Sequence, residues 1–296
     1  AAYASLIEAE QITRQKGNFR PGIIQADIDC DRAKETLFQG QYYNAYVHAR
    51  GGVLFELDHF KSGRNLASGY GGTSADKGSL RRRCFVDALP AEPVRPEVLA
   101  SGLVEDPSGL STAWYSILEP KRPNHEAGFL VESAVPGPDG PLALSLEKTF
   151  VFKKNQLTVR YLLRNLSEAT LERTFLAAFH LVPSYGRNDH ALVALAKDAD
   201  GTERERTIEV AQPQSLPNAL KTTLAGPDLP EPLTLASEKP FRLIAAPYED
   251  RSPGGTRWQG IALALEWPIK LAPGSEWKAS VSLSFRDEKP QEGPAR

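Results

Sequence analysis

The segment from 128 to 181 constrains the fold most strongly, because it contains four short strand-like runs, and apolar and polar residues alternate in the second and third of them. The runs cover 128–135, 142–152, 156–165 and 171–181. Turn-forming residues separate them, such as Lys153, Lys154 and Asn155 between the second run and the third. A period of two is typical of half-buried strands, and several short strands at regular spacing are typical of a sandwich or barrel. We therefore predict an antiparallel β-meander here.

A second strand signal lies near the N-terminus. Apolar and polar residues alternate over 44–50 and again over 53–58. Gly51 and Gly52 lie between the two runs and supply the positive φ angles that a tight hairpin needs. The pattern predicts an antiparallel hairpin that begins a large β-sandwich.

The C-terminal third also favours strands, at 243–246, 260–267 and 275–285. Residues 183–232 are rich in Pro, Asp and Ala and predict weak strands at best, such as 207–210. The predicted fold class is therefore all-β, a large antiparallel β-supersandwich.

One helix is predicted, at the start of the chain. Ala4, Leu6, Ile7 and Ile12 recur at roughly helical spacing, and Gly17 lies beyond them as a stop signal. A single helix ahead of an all-β chain suggests a domain boundary. We expect residues 1–20 to be a helical stub from a preceding domain, 21–288 the β-domain, and 289–296 a flexible tail.

Charge and cysteine content narrow the function class. The 296 residues carry a formal charge of −2. Nucleic acids and anionic membranes attract basic proteins, so the charge of this chain argues against both as partners. No run of about 18 apolar residues occurs, and the acidic residues near the N-terminus do not fit a signal peptide. We expect a cytoplasmic protein with no nucleic-acid or membrane partner. In such a protein Cys30 and Cys84, the two cysteines of the chain, are expected to be free buried thiols.

Three alternating acids invite a metal hypothesis. Asp27, Asp29 and Asp31 could converge on one calcium ion. The calcium-loop pattern is incomplete, however, because Arg32 replaces the turn glycine and Phe38 replaces the final glutamate. An acidic strand face or an Asx-rich turn explains the same residues, so we predict no metal and no cofactor and keep this triad as the alternative.

An ordered set of motifs resembles a known family. The motifs are ASLIEAE, ADIDCD, YYNAYVHARGGVLFELDHFKSGRNL and RRRCFVDAL, followed by LEKTFVF, LTVRYLLRNLS and WQGIALALEWPIKLAPGSEWKASVSLSF. Together they resemble the C-terminal half of family 57 glycoside hydrolases, the α-amylase and 4-α-glucanotransferase type. The resemblance covers most of the chain outside 183–240.

The resemblance implies a galactose-mutarotase-like β-supersandwich. It also implies that the N-terminal helix is the last helix of a preceding helical region. In such enzymes the nucleophile and the acid/base belong to an N-terminal (β/α) barrel, which this sequence does not contain. That barrel, in the same polypeptide, is the expected partner.

Sugar binding without chemistry needs flat apolar rings and a few polar groups. The candidate rings are Trp258, Trp114 and Tyr115, and the candidate polar groups are Arg82 and Glu56. Trp267 and Trp277 lie in alternating runs and are expected in the core.

Two catalytic alternatives stay open. Glu56 and Asp58 share a strand face, as a glycosidase pair would, although they also fit a solvated surface. Epimerisation at C1 needs a base and an acid, for which Glu266 and His180 are candidates, with His125 as a second acid. The simpler interpretations are that His180 packs inside the sheet and that Glu266 faces solvent.

The sequence therefore supports three functional hypotheses. The first is a non-catalytic β-sandwich domain of an α-glucan-processing glycoside hydrolase or glucanotransferase, which supports the barrel and binds carbohydrate. The second is a free-standing carbohydrate-active enzyme of aldose-epimerase type. The third is a scaffold without a ligand.

Overall fold

A computed structural model describes residues 2–15, 17–67, 83–183, 190–252 and 255–285. The helices are α1 (Ala2–Gln15), α2 (Pro96–Ser101) and a 3-10 turn (Phe60–Ser62). The strands are β1 (Gly22–Ala26), β2 (Glu35–Gln39), β3 (Tyr43–His48), β4 (Val53–His59), β5 (Arg64–Asn65), β6 (Cys84–Ala88), β7 (Ser116–Leu118), β8 (Glu126–Gly137), β9 (Gly140–Phe152), β10 (Gln156–Asn165), β11 (Leu171–Leu181), β12 (Ala191–Lys197), β13 (Glu203–Ile208), β14 (Gln214–Ala225), β15 (Leu233–Ser252), β16 (Gly255–Leu271) and β17 (Glu276–Ser284).

The strands form one curled antiparallel sheet, which confirms the predicted all-β class. One arm runs β2–β3–β4–β6–β11–β16, and the other runs β17–β10–β9–β8–β7. The long strand β15 joins the arms: its residues 234–237 pair with β17, and its later residues pair with β16. The inner faces of both arms contribute to one apolar core, including Phe150, Phe175 and Phe179.

The alternating patterns located the central strands well. Two of the predicted runs, 156–165 and 171–181, coincide with β10 and β11. The predicted hairpin is also present: β3 and β4 pair in antiparallel register, and Gly51 and Gly52 adopt φ angles of 80° and 53°.

The expectation for 183–232 is wrong, because this region contributes β12, β13 and β14. These strands extend the sheet beyond β15, and their apolar residues Leu192, Ile208 and Leu224 belong to the main core. All residues of β13 but the last are exposed, so no apolar alternation marks it. Backbone pairing with β12 holds it instead, and Arg206 on β13 lies 3.0 Å from Asp198 in the turn that joins the two strands.

The predicted N-terminal helix is α1, and it packs on the sheet. Ile7 is buried, and Arg14 Nη2 donates a hydrogen bond to Asn44 Oδ1 at 3.1 Å. The Arg14 guanidinium also lies 4.9 Å from the Phe60 ring centroid. None of the helices in the described part of the chain has the length and apolar character needed to cross a membrane.

A second apolar cluster covers the outer face of β6, β11, β15 and β16. Helix α2 supplies Leu99 to this cluster, which also contains Leu176, Ala178 and Ile244. Consequently the middle of that arm is buried on both faces, and polar residues there lie in a dry environment.

Cys84 is buried and Cys30 is exposed, and neither forms a disulfide. The expectation of two buried thiols is therefore correct for Cys84 and wrong for Cys30. Burial raises the pKa of Cys84 to about 12, and its thiol donates to the His180 carbonyl oxygen at 3.4 Å.

Candidate functional site

The proposed epimerase pair does not converge. His180 lies opposite Ala262 in the β11–β16 register, whereas Glu266 lies opposite Leu176. Four residues along a strand correspond to about 13 Å. A base and an acid that act on one sugar ring need to lie on either side of it, and these two lie too far apart along the sheet.

Glu266 is a structural anchor. It is 2% exposed, its Oε2 lies 2.6 Å from Arg242 Nη1, and its Oε1 accepts the Val94 N–H at 2.6 Å. Burial raises the pKa of Glu266, while the hydrogen bonds from Val94 and Arg242 oppose that shift. The expectation that Glu266 faces solvent is wrong, because its carboxylate fixes the segment that leads into α2.

His180 packs within the sheet. Its side chain is 2% exposed, and its ring meets Tyr248 edge-on at a centroid distance of 5.4 Å. His125 is exposed and precedes β8 in the other arm of the sheet. The histidines considered as acids therefore occupy separate environments.

Glu56 and Asp58 lie on β4 opposite Tyr46 and Asn44. Asp58 is buried and Glu56 is half-buried. Burial raises the pKa of Tyr46, and the negative charges of Glu10, Glu56 and Asp58 add to the shift. The described residues around this pair form an acidic patch beside α1.

Trp114 is a large exposed ring on a segment that backbone hydrogen bonds join to the hairpin. Its side chain is 54% exposed, and its backbone forms an isolated β-bridge with Arg50. The adjoining residues fasten the same segment to the hairpin: Gly51 N–H donates to Ala113 O at 2.7 Å, and Tyr115 N–H donates to Ala49 O at 3.0 Å. An aromatic platform on a rigid mount loses little entropy when a ligand stacks on it.

Other aromatic groups continue from Trp114 across the hairpin. The His48 ring lies 5.5 Å from Trp114 and 6.3 Å from Phe55, measured between centroids. Arg83 Cζ lies 5.4 Å from the Phe55 ring centroid. We call the set Trp114, His48, Phe55 and Arg83 the aromatic strip. It offers one exposed ring, Trp114, that packs beside the buried ring of His48.

The other predicted sugar-contact residues lie apart from the strip. Tyr115 is 4% exposed and belongs to the core, so its ring has no face open to a ligand. Trp258 is partly buried and stacks on His190 at 5.8 Å. Arg82 lies outside the described residues. Trp267 is buried in the core as expected, and Trp277 packs against it at 5.8 Å.

The acidic loop only partly matches the predicted triad. Asp29 and Asp31 converge with Glu35 and His48, whereas Asp27 Oδ2 accepts the Arg32 N–H at 3.1 Å. The hydrogen bond from the Ala33 N–H lowers the pKa of Asp31, and His48 contributes in the same direction. Sequence reasoning missed Glu35 and His48, because neither belongs to the alternating acids.

A cleft between α1 and the sheet was also not predicted from the sequence. Its volume is about 480 Å³. The lining includes Gln11, Tyr42, His59, Lys154 and Glu231. Tyr42 is 43% exposed, and Lys154 Nζ lies 5.0 Å from its ring centroid. This cleft is a second concave surface with an exposed ring.

Comparisons with known proteins identify the fold. No protein-family model and no curated protein sequence matches the chain. The chain resembles the crystal structure of 4-α-glucanotransferase from Thermococcus litoralis with a TM-score of 0.70 and 13% identity, over 95% of this chain and 41% of that one. It therefore spans well under half the length of that glucanotransferase.

Two further crystal structures share the fold over nearly their whole length. A putative aldose 1-epimerase from Escherichia coli K12 matches with a TM-score of 0.56 and 10% identity, over 90% of this chain and 99% of that one. A galactose mutarotase-like protein from Lactobacillus casei matches with a TM-score of 0.58 and 11% identity, over 89% and 99% respectively. The chain thus has a galactose-mutarotase-like β-supersandwich fold.

Proposed function

We propose that this chain is the non-catalytic β-supersandwich region of an α-glucan-processing enzyme similar to family 57 glycoside hydrolases. The region supports a catalytic barrel of the same polypeptide and binds α-glucan on the aromatic strip. The chain superposes better on the glucanotransferase than on the two epimerase-like proteins, and the sequence motifs favour the same relationship.

The exposed apolar residues of helix α1 favour contact with a neighbouring domain. Ile7 and Arg14 are buried against the sheet, whereas Leu6 and Ile12 are exposed. Exposed apolar side chains on a helix that already packs on one side favour a further protein contact. In this proposal α1 ends the helical region that connects the barrel to the sandwich.

The observation that carries the binding role is the exposed, firmly mounted ring of Trp114. The apolar face of a pyranose stacks on such a ring, and the Arg83 guanidinium, 5.4 Å from the Phe55 ring centroid on the same strip, can donate to sugar hydroxyls. A single platform with a few polar contacts predicts weak binding, with a Kd of about 1 mM.

Calorimetric titration with maltoheptaose tests this proposal. The wild type should bind the oligosaccharide, and Trp114→Ala should abolish the signal without loss of the folded structure. Tyr42→Ala is the matched control, because Tyr42 is a comparably exposed ring that lies in the cleft under α1. Binding that survives Trp114→Ala but disappears with Tyr42→Ala would place the glucan in that cleft and contradict the proposal.

A free-standing epimerase is the second candidate, because the two epimerase-like chains are matched over nearly their full length. The separation and burial of His180 and Glu266 disfavour it. An assay of anomer interconversion on glucose and galactose distinguishes the two. Activity that His180→Ala abolishes would establish the epimerase and overturn our ranking. A folded protein that neither epimerises sugars nor binds maltoheptaose would instead be a scaffold.

A further inference from the structure

Three carboxylates and one imidazole meet beside the aromatic strip. Asp29 and Asp31 lie in the loop between β1 and β2, Glu35 begins β2, and His48 ends β3. One side-chain atom from each lies within 4.8 Å of the others. We call these four residues the acidic cluster.

Each carboxylate uses one oxygen to hold the loop and directs the other into the cluster. Asp29 Oδ1 accepts the Asp31 N–H at 3.2 Å, and Asp31 Oδ1 accepts the Ala33 N–H at 2.8 Å. Glu35 Oε2 accepts the Ile28 N–H at 2.8 Å. The second oxygens, Asp29 Oδ2, Asp31 Oδ2 and Glu35 Oε1, lie 3.9, 3.2 and 3.5 Å from His48 Nε2.

Glu35 provides an independent sign of a ligand. Its side chain is 0% exposed, and its Oε1 is buried without a hydrogen bond. The nearest donor, His48 Nε2, is 3.5 Å away, which is long for a hydrogen bond. A buried carboxylate oxygen without a hydrogen bond costs free energy. A cation held between the three carboxylates would satisfy it.

The hydrogen bond that His48 Nδ1 accepts shows which kind of ligand atom the cluster can offer to a cation. The Arg50 N–H donates to His48 Nδ1 at 2.8 Å, so Nδ1 carries a lone pair and the proton of the neutral ring is on Nε2. A protonated nitrogen cannot ligate a metal, and metal-bound histidines usually donate from their second nitrogen. His48 Nε2 therefore donates to Asp31 Oδ2, at 3.2 Å, and the ligands to the ion are oxygens alone.

We propose that Asp29, Asp31 and Glu35 form a binding site for a hard divalent cation of the calcium class. Calcium takes oxygen ligands at about 2.3–2.6 Å, so two oxygens that share the ion can lie up to about 5 Å apart. The separations in the cluster meet this limit. Zinc prefers nitrogen and sulfur ligands, which the tautomer of His48 excludes here. This inference does not depend on the proposed glucan binding.

Calcium titration of the chelator-treated chain tests the site. Calorimetry should give a Kd of about 10⁻⁴ to 10⁻³ M, and calcium should raise the melting temperature. Asp31→Asn, on the exposed side of the cluster, should weaken binding about tenfold or more. Glu35→Gln should do the same, with circular dichroism to verify that this buried substitution leaves the fold intact.

Asp27→Asn is the matched control in the same loop. Its amide oxygen can still accept the Arg32 N–H, so calcium affinity should be unchanged. An equal loss of calcium affinity in Asp27→Asn and Asp31→Asn would overturn the proposal. So would a wild-type chain that does not bind calcium at millimolar concentration. Tighter binding of zinc than of calcium, lost in His48→Ala, would also overturn it, because the imidazole would then be a ligand.

Terbium, a calcium substitute whose emission a nearby indole sensitises, locates the ion. Trp114 contacts His48, so terbium in the cluster should show strong sensitised emission that calcium displaces. Trp114→Phe should remove most of that emission without changing terbium affinity. Unchanged emission in this variant would place the ion elsewhere and contradict the assignment.

Discussion

Lys148 Nζ lies 2.7 Å from Asp87 Oδ2, and both side chains are completely buried between the two arms of the sheet. The ammonium also donates to Gly52 O and Phe85 O, each at 2.6 Å. The pair therefore connects β9 and β6 to the hairpin turn below Trp114. Burial raises the pKa of Asp87 to about 6, although the positive charge of Lys148 opposes the shift.

Lys148→Met should destabilise the chain by about 3–5 kcal/mol near neutral pH, because it leaves Asp87 buried without its cation. The loss should be smaller near pH 4.5, where Asp87 is protonated in the folded variant and needs no cation. Urea unfolding at both pH values measures the difference. Lys270→Met is the control, because its exposed pair with Glu172 should contribute less than about 1 kcal/mol. A loss for Lys148→Met that does not depend on pH would contradict this account.

The turn at Gly51 should not tolerate a side chain. Its φ is 80°, and an added Cβ would lie 2.6 Å from Ser111 O. Gly51→Ala should therefore lower the free energy of unfolding by about 2 kcal/mol or more and should displace the segment that carries Trp114.

Gly63→Ala is the control for Gly51→Ala, because it introduces backbone strain without a steric clash. Gly63 has a φ of 62° with no atom within 4 Å of an added Cβ. This variant should lose only about 1 kcal/mol in denaturant unfolding. Equal losses for Gly51→Ala and Gly63→Ala would show that the close approach to Ser111 has no energetic consequence.

His59 should make stability depend on pH. Burial lowers its pKa to about 4, and Glu231 only partly opposes this. Between about pH 6.5 and 4 the unfolded chain binds the proton and the folded chain does not. The free energy of unfolding should therefore fall as the pH decreases through this window, by up to about 3 kcal/mol from this residue.

His59→Gln should flatten that part of the stability profile, measured by urea unfolding at half-unit pH intervals. The exposed His125 provides the control, and His125→Gln should keep the wild-type slope. A slope that persists in His59→Gln would assign the pH dependence to other groups.

Local patterns in the sequence predicted the strands that lie between apolar layers. Apolar and polar residues alternate along much of β10, β11 contains a continuous apolar run at 175–179, and turn-forming residues lie between the two strands, so their limits could be predicted. The limits of β13 could not be predicted, because its strand conformation depends on pairing with β12 and not on an apolar face.

The candidate site was only partly predictable, because its members come from separate elements. Trp114 was identified as a candidate, but the sequence around it does not indicate that its backbone pairs with Arg50. Asp29 and Asp31 were noticed as neighbours, whereas Glu35 and His48 join them only through the β2–β3 pairing. The burial of Glu266 likewise depends on Arg242 from the adjacent strand, which the sequence does not reveal.

Intrinsic tryptophan emission during titration with maltoheptaose tests the central claim most directly. Trp267 is buried, Trp277 packs against it, and Trp258 stacks on His190, so stacking of glucan on the exposed indole of Trp114 should dominate the change in emission. We predict a saturable change at millimolar oligosaccharide that disappears in Trp114→Phe and persists in Tyr42→Ala. No saturable change in the wild type, or an undiminished one in Trp114→Phe, would contradict the account.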